Sequence, residues 1–155
     1  MLTTEHPQAS RGSSRGTTPR RQILIIEDDE TLIKLLRTAL ELPAYEVHAV
    51  RCGTTALAYT ADSRPDLVIL DLGLPDMNGY DVCRKLHQPQ AGTPPPILIL
   101  SGLDAPADQQ LGFACGADAY LTKPYKAEDL EQLVTRLIGA LDASSQSNPS
   151  TPEMS

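Results

Sequence analysis

The chain has 155 residues, a length for one domain, and its 41% hydrophobic content is enough for a packed core. Twenty acidic residues against thirteen basic ones give a formal charge of −7, which opposes broad electrostatic binding to nucleic acid or to an anionic membrane. No apolar run approaches the roughly 18 residues of a membrane span, no secretory signal follows the N-terminal arginines, and Cys52, Cys83 and Cys115 form no CxxC pair, so reduced thiols in a cytoplasmic protein are expected.

Residues 1–22 are dominated by Ser, Thr, Gly, Pro and Arg and carry a net +3. They cannot bury enough apolar surface to offset their ordering entropy, so a disordered basic leader is expected. Ile23–Ile26 is a continuous apolar run ending in Glu27-Asp28-Asp29-Glu30, which suits a strand covered on both faces. Leu32, Leu35, Leu36, Ala39 and Leu40 then recur at helical spacing. Tyr45–Val50 is a weaker strand candidate and Ala56–Ala61 a helix. Leu67–Leu70 is a second full apolar run, ending on Asp71, followed by the turn signal Asn78-Gly79 and a helix over Tyr80–His87. Turn residues from Gly92 to Pro96 precede the third run, Ile97–Leu100, which ends on Ser101. Pro106–Cys115 reads as a helix weakened by its interior Gly112. Ala119–Leu121 is a weak strand before Thr122-Lys123-Pro124, and Leu130, Leu133, Val134, Leu137 and Ile138 form the last helical stripe. Residues 142–155 are Ser- and Pro-rich with a net −2, a disordered tail or a linker, so the acidity belongs to the folded segment 23–141. The chain has no internal repeat.

This order is β-α repeated five times. Right-handed crossovers then predict a three-layer α/β fold, a doubly wound five-stranded parallel sheet with strand order 2-1-3-4-5. Ligands in such sheets sit at the carboxyl ends of the strands, at the switch point between strands 1 and 3. Four elements place chemistry there: Glu27–Glu30, Asp71, Ser101 and Lys123. Crowded carboxylates repel one another, and a hard divalent cation with oxygen ligands relieves that repulsion, so a Mg²⁺ site is expected, with a solvated acidic loop as the alternative. Lys123 supplies an ammonium for a carboxylate or phosphoryl oxygen, and Ser101 a hydroxyl. Together they suit phosphoryl transfer, with Asp71 the best-placed nucleophile. Lys123-Pro124 is open to either isomer on sequence alone.

The motifs ILIIEDDE (23–30), PDLVILDLGLPDMNGYDV (65–82), ILILSG (97–102) and GADAYLTKPY (116–125) strongly resemble the receiver domain of bacterial two-component response regulators, over about residues 21–141. The resemblance implies a flavodoxin-like (βα)₅ fold and a phosphoacceptor signalling domain that catalyses its own phosphorylation and dephosphorylation. It implies Asp71 as the phosphoacceptor, taking a phosphoryl group from a sensor histidine kinase or a phosphotransfer protein. Glu27, Asp28 and Asp71 with the carbonyl of Gly73 would hold Mg²⁺. Ser101 and Lys123 would bind the phosphoryl group, and Tyr120 would be the aromatic residue that turns inward on activation, switching the face of the fourth helix, fifth strand and fifth helix.

Other features individualise the chain. The resemblance implies that Gly73 and Leu103, two residues after Asp71 and Ser101, would border the acyl phosphate and tune its lifetime. No Lys or Arg lies between Lys85 and Lys123, Ala119 replaces the second Asp of a GADD motif, and Leu133 stands where a helix Arg is used by regulators with winged-helix output. The charge-mediated dimer of that subgroup is therefore not expected, although Leu111, Phe113, Leu133 and Leu137 leave an apolar dimer contact open on the same face. The expected partners are the kinase and a downstream protein target, with no direct nucleic-acid binding, in a stand-alone receiver; the alternative is the N-terminal part of a larger regulator. An aspartate-dependent phosphohydrolase of the haloacid dehalogenase type needs a second Asp two residues after the nucleophile, where this chain has Gly73. A degenerate receiver would lack part of the acidic and basic set, and a flavin-phosphate site conflicts with the acidic loop 27–30. Asp76 and Asp81 are expected to be solvated.

Overall fold

The computed structural model describes residues 19–88 and 93–146. The elements alternate as β1 (Arg21–Ile26), α1 (Glu30–Ala39), β2 (Tyr45–Val50), α2 (Gly53–Asp62), β3 (Leu67–Asp71), α3 (Gly79–His87), β4 (Ile97–Ser101), α4 (Pro106–Ala114), β5 (Ala119–Thr122) and α5 (Ala127–Gln146). The five strands are all parallel, in the order β2-β1-β3-β4-β5. This is the doubly wound topology expected from the alternation of apolar runs and helical stripes.

Successive strand residues point to opposite faces, and both faces are covered. Leu24, Ile26, Val68, Leu70, Ile97 and Ile99 face α2 and α3, meeting Ala56, Val82 and Leu86. Ile23, Ile25, Leu67, Ile69, Leu98 and Leu100 face α1 and α5, meeting Leu36, Leu40, Leu130, Val134 and Ile138. The three apolar runs are thus the centre of two cores. β2, an edge strand, is only partly buried along its length, which explains its weaker sequence signal.

Several boundaries and faces differ from the sequence expectation. β1 starts at Arg21, inside the segment read as leader, because Arg21 pairs with Asp66 at 3.2 Å and the Gln22 N–H donates to the same carboxylate at 2.7 Å. α5 runs to Gln146, beyond the expected end at 141. Leu35 lies outside the buried stripe of α1, with 59% of its surface exposed, and Ile33 occupies the core with Leu36 and Leu40. Spacing alone admitted both phases, and the direction of the helix over the sheet selects one. The remaining leader and tail, 1–18 and 147–155, and Gly92 lie outside the described residues.

Local chemistry sets the helix starts. Asp29 caps α1, its carboxylate accepting from the N–H groups of Thr31 and Leu32. Asn78 caps α3 in the same way through Tyr80 N–H. Gly79 follows because a Cβ there would lie 2.5 Å from the Cα of Leu72, so the loop after β3 can fold back only over a glycine. Asp118 accepts from Ile97 N–H at 2.9 Å while its own N–H donates to the Ile97 carbonyl at 2.8 Å. It locks the start of β4 to the start of β5.

Candidate functional site

Register brings the acidic residues together. Ile26 of β1 lies beside Leu70 of β3, so the next residues, Glu27 and Asp71, emerge side by side at the carboxyl edge. Asp28 completes a group in which one carboxylate oxygen from each residue lies within 4.8 Å of the others. Lys123, on the loop after β5, reaches back with its Nζ 3.0 Å from Asp71 Oδ1 and 3.6 Å from Glu27 Oε1. The Lys123-Pro124 peptide bond is cis.

Glu27 is 2% exposed. Its Oε2 accepts from the Asp29 N–H at 3.1 Å, while Oε1 is buried without a hydrogen-bond partner. Burial raises the Glu27 pKa; the Asp29 N–H opposes that shift, the charge of Asp71 adds to it, and Lys123 counters it. Burial also works against the Lys123 ammonium, but its hydrogen bond to Asp71 and the charges of Asp71 and Glu27 prevail and raise its pKa. Three carboxylates and one ammonium leave the cluster negatively charged. A donor set made only of oxygens, with one buried oxygen left without a hydrogen bond, fits a hard cation such as Mg²⁺.

Gly73 lies next to this cluster; a Cβ there would sit 3.8 Å from Asp71 Oδ2. A cleft of about 650 Å³ opens beside Asp71, lined by Gly73, Met77, Tyr80, Ser101 and Leu103 among others. Ser101 is buried, and its Oγ accepts from the Leu103 N–H at 3.0 Å rather than meeting Asp71. Tyr120 is half-buried, and its hydroxyl donates to the Leu103 carbonyl at 2.8 Å. Its ring lies against Gly112 of α4, where a Cβ would stand 3.0 Å from Tyr120 Cδ2. The glycine read as a weak helix residue is therefore what makes room for that ring.

Sequence reasoning missed three participants. Asp76, expected to be solvated, accepts from Gly53 N–H (2.8 Å), Thr54 N–H (2.9 Å) and the Thr54 hydroxyl (2.6 Å). Those bonds, the Thr54 hydroxyl first, hold its carboxyl down to about 2. The available signal was Cys52, a poor cap residue immediately before α2. Arg51 donates to the Asp28 carbonyl, and Tyr80 donates from its hydroxyl to the Asp108 carbonyl at 3.2 Å. Asp81 is paired with Arg84 at 2.6 Å on the surface. Of the thiols, Cys83 and Cys115 are buried and Cys52 is intermediate; burial pushes the Cys83 thiol up to about 12, away from thiolate chemistry.

Residues 23–135 match the family model described as the response regulator receiver domain. The chain belongs to that family. The receiver is 41% identical over 113 residues to the DNA-binding response regulator MtrA of Mycobacterium bovis, covering 73% of this chain and 48% of MtrA. It is 35% identical over 118 residues to the alkaline phosphatase synthesis transcriptional regulatory protein PhoP of Bacillus subtilis, covering 76% and 48%. Among solved structures it resembles the signal receiver domain of a signal transduction histidine kinase from Syntrophus aciditrophicus, with 36% identity and a TM-score of 0.70 over 86% of this chain and 98% of that one. The receiver spans about half the length of MtrA and PhoP.

These relatives overturn one expectation. The acidic charge and the small tail pointed away from direct nucleic-acid binding, yet MtrA is a DNA-binding regulator and PhoP a transcriptional one. The charge argument described the receiver fold, and the relatives carry as much chain again outside the matched part. Receivers of this family are phosphorylated two-component signalling domains that bind Mg²⁺ in an acidic pocket. Among the described residues, no helix is long and apolar enough to cross a membrane.

Proposed function

We propose that this receiver is a Mg²⁺-dependent phosphoacceptor in which Asp71 takes a phosphoryl group from a sensor histidine kinase or a phosphotransfer protein. The observation that carries the reading is the Asp71 carboxylate at a strand end, 3.0 Å from Lys123 Nζ and clustered with Glu27 and Asp28. An Asp71 carboxylate oxygen attacks the donor phosphorus, a new O–P bond forms, the donor N–P bond breaks, and the imidazole nitrogen keeps the bonding pair. Glu27, Asp28, Asp71 and the Gly73 carbonyl would hold the cation. When bound, Mg²⁺ supplies charge neutralisation to the phosphoryl oxygens. Lys123 pairs with one phosphoryl oxygen, and the open cleft beside Gly73 admits the donor.

Phosphorylation adds roughly −1.5 to −2 charges and three strong acceptor oxygens. The Ser101 hydroxyl, released from the Leu103 N–H, donates to one of them. Tyr120 then leaves the Leu103 carbonyl and turns into the space beside Ser101. The shift is read on the α4–β5–α5 face, where Leu103, Leu111 and Phe113 are exposed while Leu133 and Leu137 pack partly on the core. The kinship with MtrA and PhoP supports transcriptional output, by a DNA-binding unit outside residues 23–135.

The test is intact mass after incubation with acetyl phosphate. A single phosphoryl adduct is expected for the wild type in MgCl₂, with none in EDTA and none for Asp71→Asn. An adduct of equal yield in Asp71→Asn contradicts the reading.

A further inference from the structure

The metal-facing residues ride on two loops, and both loops are tied to one short segment, the junction between β2 and α2. Arg51 donates from Nε (3.2 Å) and Nη2 (2.9 Å) to the backbone carbonyl of Asp28. Both arms of a rigid fork close on one oxygen, which fixes the turn that presents the Asp28 carboxylate. Asp76 makes the second tie from the loop between β3 and α3, which also carries Gly73. Its Oδ1 accepts from Gly53 N–H, and its Oδ2 accepts from Thr54 N–H and the Thr54 hydroxyl.

α2 depends on this tie. Cys52, at its N-cap, offers no side-chain hydrogen bond to the backbone N–H groups of the first turn; its Sγ meets the Thr55 hydroxyl at 3.1 Å instead. The free N–H groups of the first turn are met instead by a carboxylate from 22 to 23 residues away, at the end of the helix dipole that favours an anion. Gly53 permits the approach: a Cβ there would lie 2.5 Å from Met77 Cγ. Residues 51–54 therefore grip the Asp28 turn on one side and the Gly73 loop on the other.

We propose that Arg51, Gly53 and Thr54, with Asp76, form a brace that positions Asp28 and Gly73 toward the cation and sets Mg²⁺ affinity. Arg51 and Asp76 are positioning residues; neither supplies an oxygen to the cation. The inference rests on the Mg²⁺ reading above. Mg²⁺ demands near-ideal octahedral geometry, and loss of outer partners of a metal ligand costs roughly 10- to 100-fold in affinity.

Arg51 gives the proposal a sign. Its positive charge repels a cation, so charge alone predicts tighter Mg²⁺ binding when it is neutralised. The brace predicts weaker binding. The experiment is calorimetric titration of the full chain with MgCl₂ for the wild type, Arg51→Gln, Arg51→Lys and Asp76→Asn, with thermal unfolding of each in EDTA. About tenfold weaker binding is expected for Arg51→Gln and Asp76→Asn, and weakening for Arg51→Lys, which keeps the charge but loses the fork. Unchanged or tighter binding in Arg51→Gln overturns the brace, as does a lower unfolding temperature with an unchanged dissociation constant. If Asp76→Asn does not fold, Arg51→Gln decides, because it leaves the α2 cap intact. No Mg²⁺ binding by the folded wild type overturns the metal reading and the brace together; binding by the wild type with unaltered variants overturns the brace alone.

Discussion

Glu27 is the residue on which stability and function pull in opposite directions. Its buried Oε1 has no hydrogen-bond partner, and Asp28 and Asp71 crowd it with a single ammonium nearby. Without a cation, the ionised side chain is a cost to the fold, which its raised pKa records. Glu27→Gln keeps the shape and removes the charge. In EDTA near neutral pH this variant is expected to be more stable than the wild type, because it buries no uncompensated charge. In saturating MgCl₂ the order reverses, because the wild type gains binding energy that the variant lacks. Urea unfolding in both conditions checks this. A variant less stable in EDTA would mean that the Glu27 charge is satisfied within the protein.

At the scale of elements, α2 shows how a missing cap is replaced from a distance. The Asp76 carboxyl titrates at about 2, below the ordinary carboxylate value of about 3.9. A lowered folded-state value means that the unfolded chain binds the proton first. The Asp76 contribution is therefore complete above about pH 4 and is lost as pH falls through about 2. Asp76→Asn has no such carboxyl to titrate, so its unfolding temperature is expected to fall less steeply than that of the wild type between about pH 4 and pH 2; parallel curves contradict the cap. The same element shows what the sequence could carry. The runs at Ile23, Leu67 and Ile97 were legible because strands buried on both faces need unbroken apolar residues. Asp71, Ser101 and Lys123 were legible because the first two end a strand and the third directly follows one. The Asp76 cap was not, since its partners lie more than 20 residues upstream and only the folded sheet brings them together. The start of β1 was hidden for a related reason, its Arg21 and Gln22 being held by Asp66 from a distant turn. Leu35 was misassigned because an apolar side chain on a helix states a period and not a phase.

Across the whole molecule the two halves of the sheet differ in how they are held. β1 and β3 sit at the centre with both cores around them. α4 covers the other side with a short helix whose face toward the sheet includes the buried Gly112, while Leu111 and Phe113 remain exposed. Two tyrosine hydroxyls tie this region down, Tyr80 to the Asp108 carbonyl and Tyr120 to the Leu103 carbonyl. One of those ties, from Tyr120, is the one that the proposed switch breaks. A phosphoryl mimic such as beryllium fluoride with MgCl₂ is therefore expected to change amide exchange over residues 101–125 and to leave β1 and β2 unaltered. Unchanged exchange over 101–125 would disconnect the phosphorylation site from the proposed output face.

The account depends most on which carboxylate takes the phosphoryl group, because Glu27, Asp28 and Asp71 share one cluster. Borohydride cleaves an acyl phosphate reductively and converts a phosphorylated aspartate to homoserine. The decisive measurement is peptide mapping by mass spectrometry after incubation with acetyl phosphate and MgCl₂ followed by borohydride. Homoserine at position 71, and at no other aspartate, is the predicted result. Homoserine at position 28, or a reduced Glu27, would contradict it and move the nucleophile to β1.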